Sequence, residues 1–256
     1  MEYPKLEINL DKVKNNVEVI VDLCQKNHIQ VAGVTKVFCG EPKIVNAYVD
    51  GGVDYLADSR IENLIKLKDF TIPKILLRLP MKSEAKLVVE YADISLNSEI
   101  ETIRTLSEKA VEKGIIHKII LMVDLGDLRE GYYKEEDIYN AVGEILNLKG
   151  VKLIGIGTNL TCYGGVIPDE NNLGRLVEIG KNIKEKYNID LEIISGGNSS
   201  SLYLIMNDNM VNGINNIRLG ESLVLGRETA FGKKIENTCE DAFQLEVEII
   251  EVKEKP

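Results

Sequence analysis

Val31-Ala32-Gly33-Val34-Thr35-Lys36 is an apolar run that ends in a charge. The run reads as a short buried strand. Burying an ammonium is costly unless it is paired or loses its proton. A lysine at the mouth of such a strand is therefore either tied into an ion pair or chemically employed. Neutral lysine is the form that attacks an aldehyde.

Outward from this stretch, the chain keeps alternating short apolar runs with longer amphipathic ones. Strands are expected at 31–35, 55–57, 74–77, 92–95, 118–123, 152–157, 191–194 and 216–219. Helical patterns lie between them, for example 99–113 and 171–187, with apolar residues three and four apart. Eight strand-then-helix units are the signature of an α/β (β/α)8 TIM barrel, here expected over residues 11–232. A doubly wound open sheet is the runner-up, but it usually carries a Gly-x-Gly-x-x-Gly turn after its first strand, and none is present. Two segments fall outside the units. Residues 6–10 and 243–252 alternate apolar and polar side chains, as half-buried strands do. Either they pair with each other, or the terminal segments 1–10 and 240–256 are strands of a largely missing C-terminal β-domain. The second is the expectation.

The 256 residues carry a formal charge of −10, which argues against nucleic acid and against an anionic membrane surface as partners. Cys24, Cys39, Cys162 and Cys239 are widely spaced and the two histidines are His28 and His117, so neither a metal site nor a disulfide framework is expected. The cysteines read as small buried hydrophobes and the histidines as solvent-facing. No transmembrane stretch or signal-peptide core is evident, so the protein is expected to be soluble and cytoplasmic.

In such a barrel the C-terminal strand ends form the reactive face. Those positions hold Lys36, Asp58, Ser59, Arg60, Arg78, Asn97, Arg129, Asn159, the run Ser195 to Ser201, and Arg218 to Glu221. Ser59, Asn97 and Asn198 also have a plain reading as helix caps. After the seventh strand, Ser195-Gly196-Gly197-Asn198-Ser199-Ser200-Ser201 puts two glycines and several hydroxyls at a helix start. Arg218-Leu219-Gly220-Glu221 follows the eighth. Loops there commonly cradle phosphate, because backbone N–H groups favour an anion. A lysine at strand one beside a phosphate cradle at strands seven and eight is a geometry for pyridoxal phosphate.

The motifs, taken in order, resemble the fold-type III pyridoxal-phosphate enzymes: the N-terminal barrel of alanine racemase and, more closely, its ornithine racemase relatives. The stretch 31–36 resembles the family's aldimine-lysine strand. Ala57-Asp58-Ser59-Arg60-Ile61-Glu62-Asn63-Leu64 and Leu76-Leu77-Arg78-Leu79-Pro80-Met81 resemble the ornithine racemase branch. Val123-Asp124-Leu125-Gly126-Asp127-Leu128-Arg129-Glu130-Gly131 is similar to the segment whose arginine meets the substrate carboxylate. Gly197-Asn198-Ser199-Ser200-Ser201 and Ile217-Arg218-Leu219-Gly220-Glu221 are similar to the phosphate and pyridine-nitrogen segments.

The resemblance implies a racemase of a small or basic amino acid, ornithine favoured. Lys36 is then the catalytic lysine. Asn159, Asn198, Ser199, Arg218, Gly220 and Glu221 hold the cofactor with it, and Arg129 binds the substrate. It also implies a homodimer, with a second acid/base tyrosine from the partner's C-terminal β-domain; Tyr163 is the understudy within this chain. Two departures from alanine racemases bear on the substrate: Asn159 stands where they carry histidine, and Val37-Phe38-Cys39-Gly40 lacks their phosphate-contacting tyrosine. Asp58, Asp127, Glu130 and Glu221 are the candidates to meet a basic side chain. The competing readings are a non-catalytic pyridoxal-phosphate carrier and a barrel enzyme acting on a sugar phosphate.

Overall fold

The computed structural model describes residues 3–256. Its strands are β1 (Lys5–Ile8), β2 (Gln30–Val34), β3 (Tyr55–Asp58), β4 (Lys74–Leu76), β5 (Ile94–Asn97), β6 (His117–Met122), β7 (Val151–Gly157), β8 (Ile193–Ser195), β9 (Asn216–Leu219) and β10 (Phe243–Glu246). The helices are α1 (Leu10–Gln25), α2 (Pro42–Asp50), α3 (Ile61–Lys66), α4 (Ala85–Tyr91), α5 (Ile100–Lys113), α6 (Glu135–Ile145), α7 (Glu170–Tyr187), α8 (Leu202–Met206) and α9 (Glu221–Leu225). The eight strands read from sequence are all present, each within two residues of its expected bounds.

β2 to β9 run parallel and close on themselves, β9 pairing back onto β2 with Val31 opposite Ile217 and Gly33 opposite Leu219. The fold is a (β/α)8 TIM barrel, and closure excludes the open-sheet alternative. Period-two alternation divides the strands between two cores. Ala32, Val34, Ala57, Ile75, Ile94, Leu96, Ile120, Met122, Ile154 and Ile193 fill the barrel interior. Their neighbours Val31, Leu56, Leu76, Ile119, Leu121 and Ile156 pack outward under the helices.

The helices follow from their own sequences. α1 starts where the Asn9 side chain accepts the Lys12 N–H at 3.0 Å, and it buries Val13, Val17, Ile20, Val21 and Cys24. In α7, Asp169 and Asn172 form a reciprocal capping box over the buried stripe Leu173, Leu176, Ile179 and Ile183. Two expected caps are absent. α3 has Arg60 at its N-cap rather than Ser59, and Asn97 turns back to donate to Ser95 O and Oγ, both at 2.9 Å.

The chain ends pair with each other. β1 and β10 form an antiparallel ribbon, Lys5 opposite Glu246 and Ile8 opposite Phe243. Fully buried Asn16 ties this end of the chain to α1, donating to Cys239 O at 2.8 Å and accepting the Cys239 N–H at 2.6 Å. The alternation in 243–252 suggested a longer strand, but β10 stops at Glu246. The residue next to Lys5 on the facing strand is Pro4, which has no N–H to extend the ladder. Residues 1 and 2 of the expected segment 1–10 lie outside the described residues.

His117 corrects a second reading. It is buried at the start of β6, its Nε2 lying 2.8 Å from Ser95 Oγ, because its position in the alternation faces the helix layer rather than solvent. Burial pushes the imidazole down to about 4 from 6.5. With the folded value depressed, the unfolded chain binds the extra proton first. This site therefore costs stability as pH falls from 6.5 towards 4, by roughly 2–4 kcal/mol. Urea denaturation of wild type and His117→Gln at pH 7 and pH 4.5 is expected to show the smaller acid-induced loss in the variant. Equal losses would count against the burial account.

Candidate active site

A cavity of about 680 Å³ opens at the C-terminal ends of the strands. That volume is in the range of small-molecule sites. Lys36, Arg129, Asn159, Asn198, Ser199, Arg218, Gly220 and Glu221 all line it, whereas Asp58, Asn97, Asp127 and Tyr163 do not. Arg60, Arg78, Glu130, Cys162 and Thr229 are also in its wall. Five cationic side chains and two carboxylates thus face a cavity in a chain of net charge −10. The cavity is a positive island that favours an anionic ligand.

Lys36 begins a single 3-10 turn, Lys36–Phe38, just past the end of β2, and its side chain is exposed rather than buried. The turn is pinned on both sides. Buried Thr35 donates through Oγ1 to Asp58 Oδ2 at 2.7 Å, while Asp58 Oδ1 accepts the Arg60 N–H at 2.9 Å and Asn63 Nδ2 at 3.0 Å. On the far side, Lys66 Nζ donates to Cys39 O at 2.8 Å and to Asn63 Oδ1 at 3.2 Å. Asp58 is therefore a clamp on the lysine turn, and Lys66 is a support that no periodicity in the sequence pointed to.

Arg218 projects inward from β9 and is only 3% exposed. Its Nη1 donates to Ser195 Oγ at 2.5 Å, and its Nη2 donates to Thr158 O and Asn159 Oδ1, each at 2.6 Å. All three acceptors are neutral, so Arg218 is not the rim ion pair that strand-end arginines often make. Burial lowers the guanidinium to about 10, with Glu130 raising it and Arg129 lowering it, so it remains a cation at neutral pH. Gly157 makes room: a Cβ there would sit 3.5 Å from Arg218 Nη1 and 3.2 Å from Ser195 Cβ.

Glu130 links the two arginines. Its Oε2 meets Arg129 Nε at 2.9 Å, and its Oε1 accepts Asn159 Nδ2, the same amide whose oxygen accepts from Arg218. A neutral amide thus carries one carboxylate's influence to a buried cation. Asp127 has a different task. Fully buried, it accepts the backbone N–H groups of Thr161, Tyr163 and Val166 at 3.0–3.1 Å and fixes the loop between β7 and α7. That loop presents Cys162 to the cavity but leaves Tyr163 76% exposed and outside the wall. Cys39 and Cys162 are exposed, contrary to the small-hydrophobe reading, because both sit in loops at the strand ends.

The cradle lies opposite in sequence and adjacent in the barrel. Asn198 caps the Ser199–Ser201 turn by accepting the Ser200 N–H at 2.9 Å, and its Nδ2 donates to Leu160 O at 2.9 Å. Ser199 Oγ lies 3.0 Å from Ser222 Oγ and accepts the Ser222 N–H at 3.3 Å, joining this turn to α9. Gly197 has φ +106°, where a side chain is strained, and a Cβ would lie 2.9 Å from Ser201 Oγ. Among the described residues no group of three or more His, Cys, Asp or Glu side chains is placed to hold a metal ion. Nor is any helix there long and apolar enough to cross a membrane.

Residues 8–228 match the family model described as alanine racemase, N-terminal domain. The chain belongs to that family. It is 48% identical over 254 residues to the ornithine racemase of Acetoanaerobium sticklandii, an alignment covering 99% of this chain and 72% of that protein. It is 38% identical over 258 residues to the lysine racemase of Thermotoga maritima, covering 100% of this chain and 72% of the relative. The alanine racemase of Clostridium difficile 630 in complex with cycloserine superposes with a TM-score of 0.75 at 20% identity, over 96% of this chain and 67% of that one. The last likeness is one of fold.

For a member of this family, the cavity's donor set fits a phosphorylated aldehyde ring. It offers one lysine amine, a guanidinium that is charged at neutral pH, and a Gly-Ser-rich cradle whose Gly220 and Glu221 amides have no backbone acceptor among the described residues.

Proposed function

We propose that this protein is a pyridoxal-phosphate-dependent racemase of small basic amino acids, with ornithine the favoured substrate. The observation that carries the reading is one positively lined cavity that holds Lys36, Arg218 and the Ser199–Gly220–Glu221 cradle together. The names of its relatives, ornithine racemase at 48% identity and lysine racemase at 38%, support the substrate class. No observation favours a non-catalytic carrier or a sugar-phosphate enzyme.

When bound, pyridoxal phosphate supplies the electron sink that lets an amino acid lose its α-proton. The chain's own groups do the rest. Lys36 Nζ would be the group that holds the cofactor, and its amine would carry a proton to and from Cα on one face. The Gly220 and Glu221 amides, with Ser199 and Asn198, would hold its phosphate. Arg218, a cation among neutral acceptors, would disfavour protonation of a basic cofactor nitrogen, and so would restrain side reactions. Arg129, steadied by Glu130, offers its remaining N–H groups to the substrate carboxylate. The proton carrier for the opposite face comes, in this reading, from a partner subunit's C-terminal β-domain. In this reading the working form is a cytoplasmic homodimer.

The test is chiral chromatography of L-ornithine, L-lysine and L-alanine incubated with protein and pyridoxal phosphate, with deuterium entry at Cα as a second readout. Ornithine is expected to form its D-enantiomer faster than alanine. If none of the three gains D-enantiomer or deuterium, the racemase reading falls.

A further inference from the structure

A dibasic amino acid brings a terminal ammonium into a cavity that is already rich in cations, so some carboxylate must receive it. Sequence left four candidates, and their contacts separate them. Asp58 is fully buried, outside the cavity wall, and occupied by Thr35, Arg60 and Asn63. Asp127 is likewise buried and occupied by three backbone N–H groups of the β7–α7 loop. Glu130 lines the cavity but is only 14% exposed, with one oxygen on Arg129 and the other on Asn159. Diverting it would loosen both arginine contacts. Glu221 also lines the cavity, is exposed, and has no side-chain hydrogen bond or ion pair among the described residues.

Glu221 is also out of place for a residue whose only task is to hold an anion. Its backbone amide belongs to the phosphate cradle, yet its carboxylate adds a negative charge to the same wall, which opposes a phosphate. Elsewhere in the wall the carboxylate charge is neutralised, as Glu130 is by Arg129. An uncompensated carboxylate in a site built for a dianion has a use if the arriving ligand carries its own cation.

We propose that the Glu221 carboxylate receives the terminal ammonium of the substrate and sets the preference for basic over neutral amino acids. This rests on the racemase reading. The backbone of residue 221 serves the cofactor, and its side chain serves the substrate.

The experiment compares wild type, Glu221→Gln and Glu221→Asp, each saturated with pyridoxal phosphate, on L-ornithine and L-alanine. In Glu221→Gln the ratio of kcat/KM for ornithine to that for alanine is expected to fall at least tenfold, through a higher KM for ornithine. Glu221→Asp should recover part of the ratio, since it restores the charge at a shorter reach. Glu221→Gln should also bind pyridoxal phosphate no more weakly than wild type, measured by absorbance titration of the apoprotein. An unchanged ratio overturns the proposal while leaving the racemase reading intact. An equal loss on both substrates does the same, because it would mark a cofactor role. Wild type inactive on every amino acid would overturn the racemase reading and this proposal with it.

Discussion

Replacing Lys36 with alanine is expected to abolish covalent cofactor capture and to lower racemisation by at least about 10³-fold, since one residue supplies both the attachment and a proton carrier. Among the described residues Lys36 is the one lysine in the cavity wall, and its turn is held from both sides by Asp58 and Lys66. The side chain itself is exposed, so the substitution removes no core contact and the fold should survive. Wild type given pyridoxal phosphate should develop a visible chromophore, and borohydride should fix the label to the peptide containing Lys36. The variant should show neither. A label on Lys66, which sits beside the same turn, would displace Lys36 from its role. So would activity in Lys36→Ala near the wild-type level.

The second large effect concerns the cradle. Ser199 is buried, and its hydroxyl joins the turn after β8 to Ser222 at the start of α9. Ser199→Ala loses the hydroxyl's hydrogen bonds to Ser222 and to the phosphate, which corresponds to about 1–2 kcal/mol, or about five- to thirtyfold in cofactor affinity. Ser199→Asp sets a carboxylate against the phosphate. Two unit charges about 4 Å apart at an effective dielectric of about 20 repel by about 4 kcal/mol, and the dianion carries two charges. Cofactor affinity should therefore fall by about 10³-fold or more, measured by absorbance titration, with circular dichroism confirming that both variants fold. Equal affinities for the aspartate and alanine variants would place the phosphate elsewhere.

The barrel was legible because its signal is local. A strand such as Val31–Val34 or Ile119–Met122 is apolar on both faces, since one face meets the barrel interior and the other the helices. Such runs stand out between amphipathic segments. The terminal strands were legible as alternation, but their partners were not. Alternation suggests one covered face, yet Leu6 and Leu245 are 58% and 67% exposed; the structure supplies instead an in-plane partner, Lys5 opposite Glu246, and the point where pairing stops. His117 misled for a related reason. A histidine at a strand end is compatible with solvent or with the helix layer, and only the neighbouring Ser95 decided between them.

The site divides in the same way. Residue type and strand-end position pointed to the eight residues that share one cavity, because a parallel barrel forces the C-terminal ends of its strands to one face whatever the side chains are. The carboxylates could not be sorted from sequence. Asp58, Asp127, Glu130 and Glu221 are the same chemistry at similar strand-end positions. What separates them is which N–H groups lie within hydrogen-bonding distance, and that depends on how loops far apart in sequence meet. Asp127 reaches residues 34 to 39 positions away, and Glu130 reaches an asparagine 29 positions away. Sequence by itself determined the closed barrel and the face on which chemistry occurs, because hydrophobic period and chain order are local properties. Tertiary structure alone decided which of the four carboxylates is clamp, loop anchor, arginine partner or free charge, because hydrogen-bond partnership is a property of distance in space.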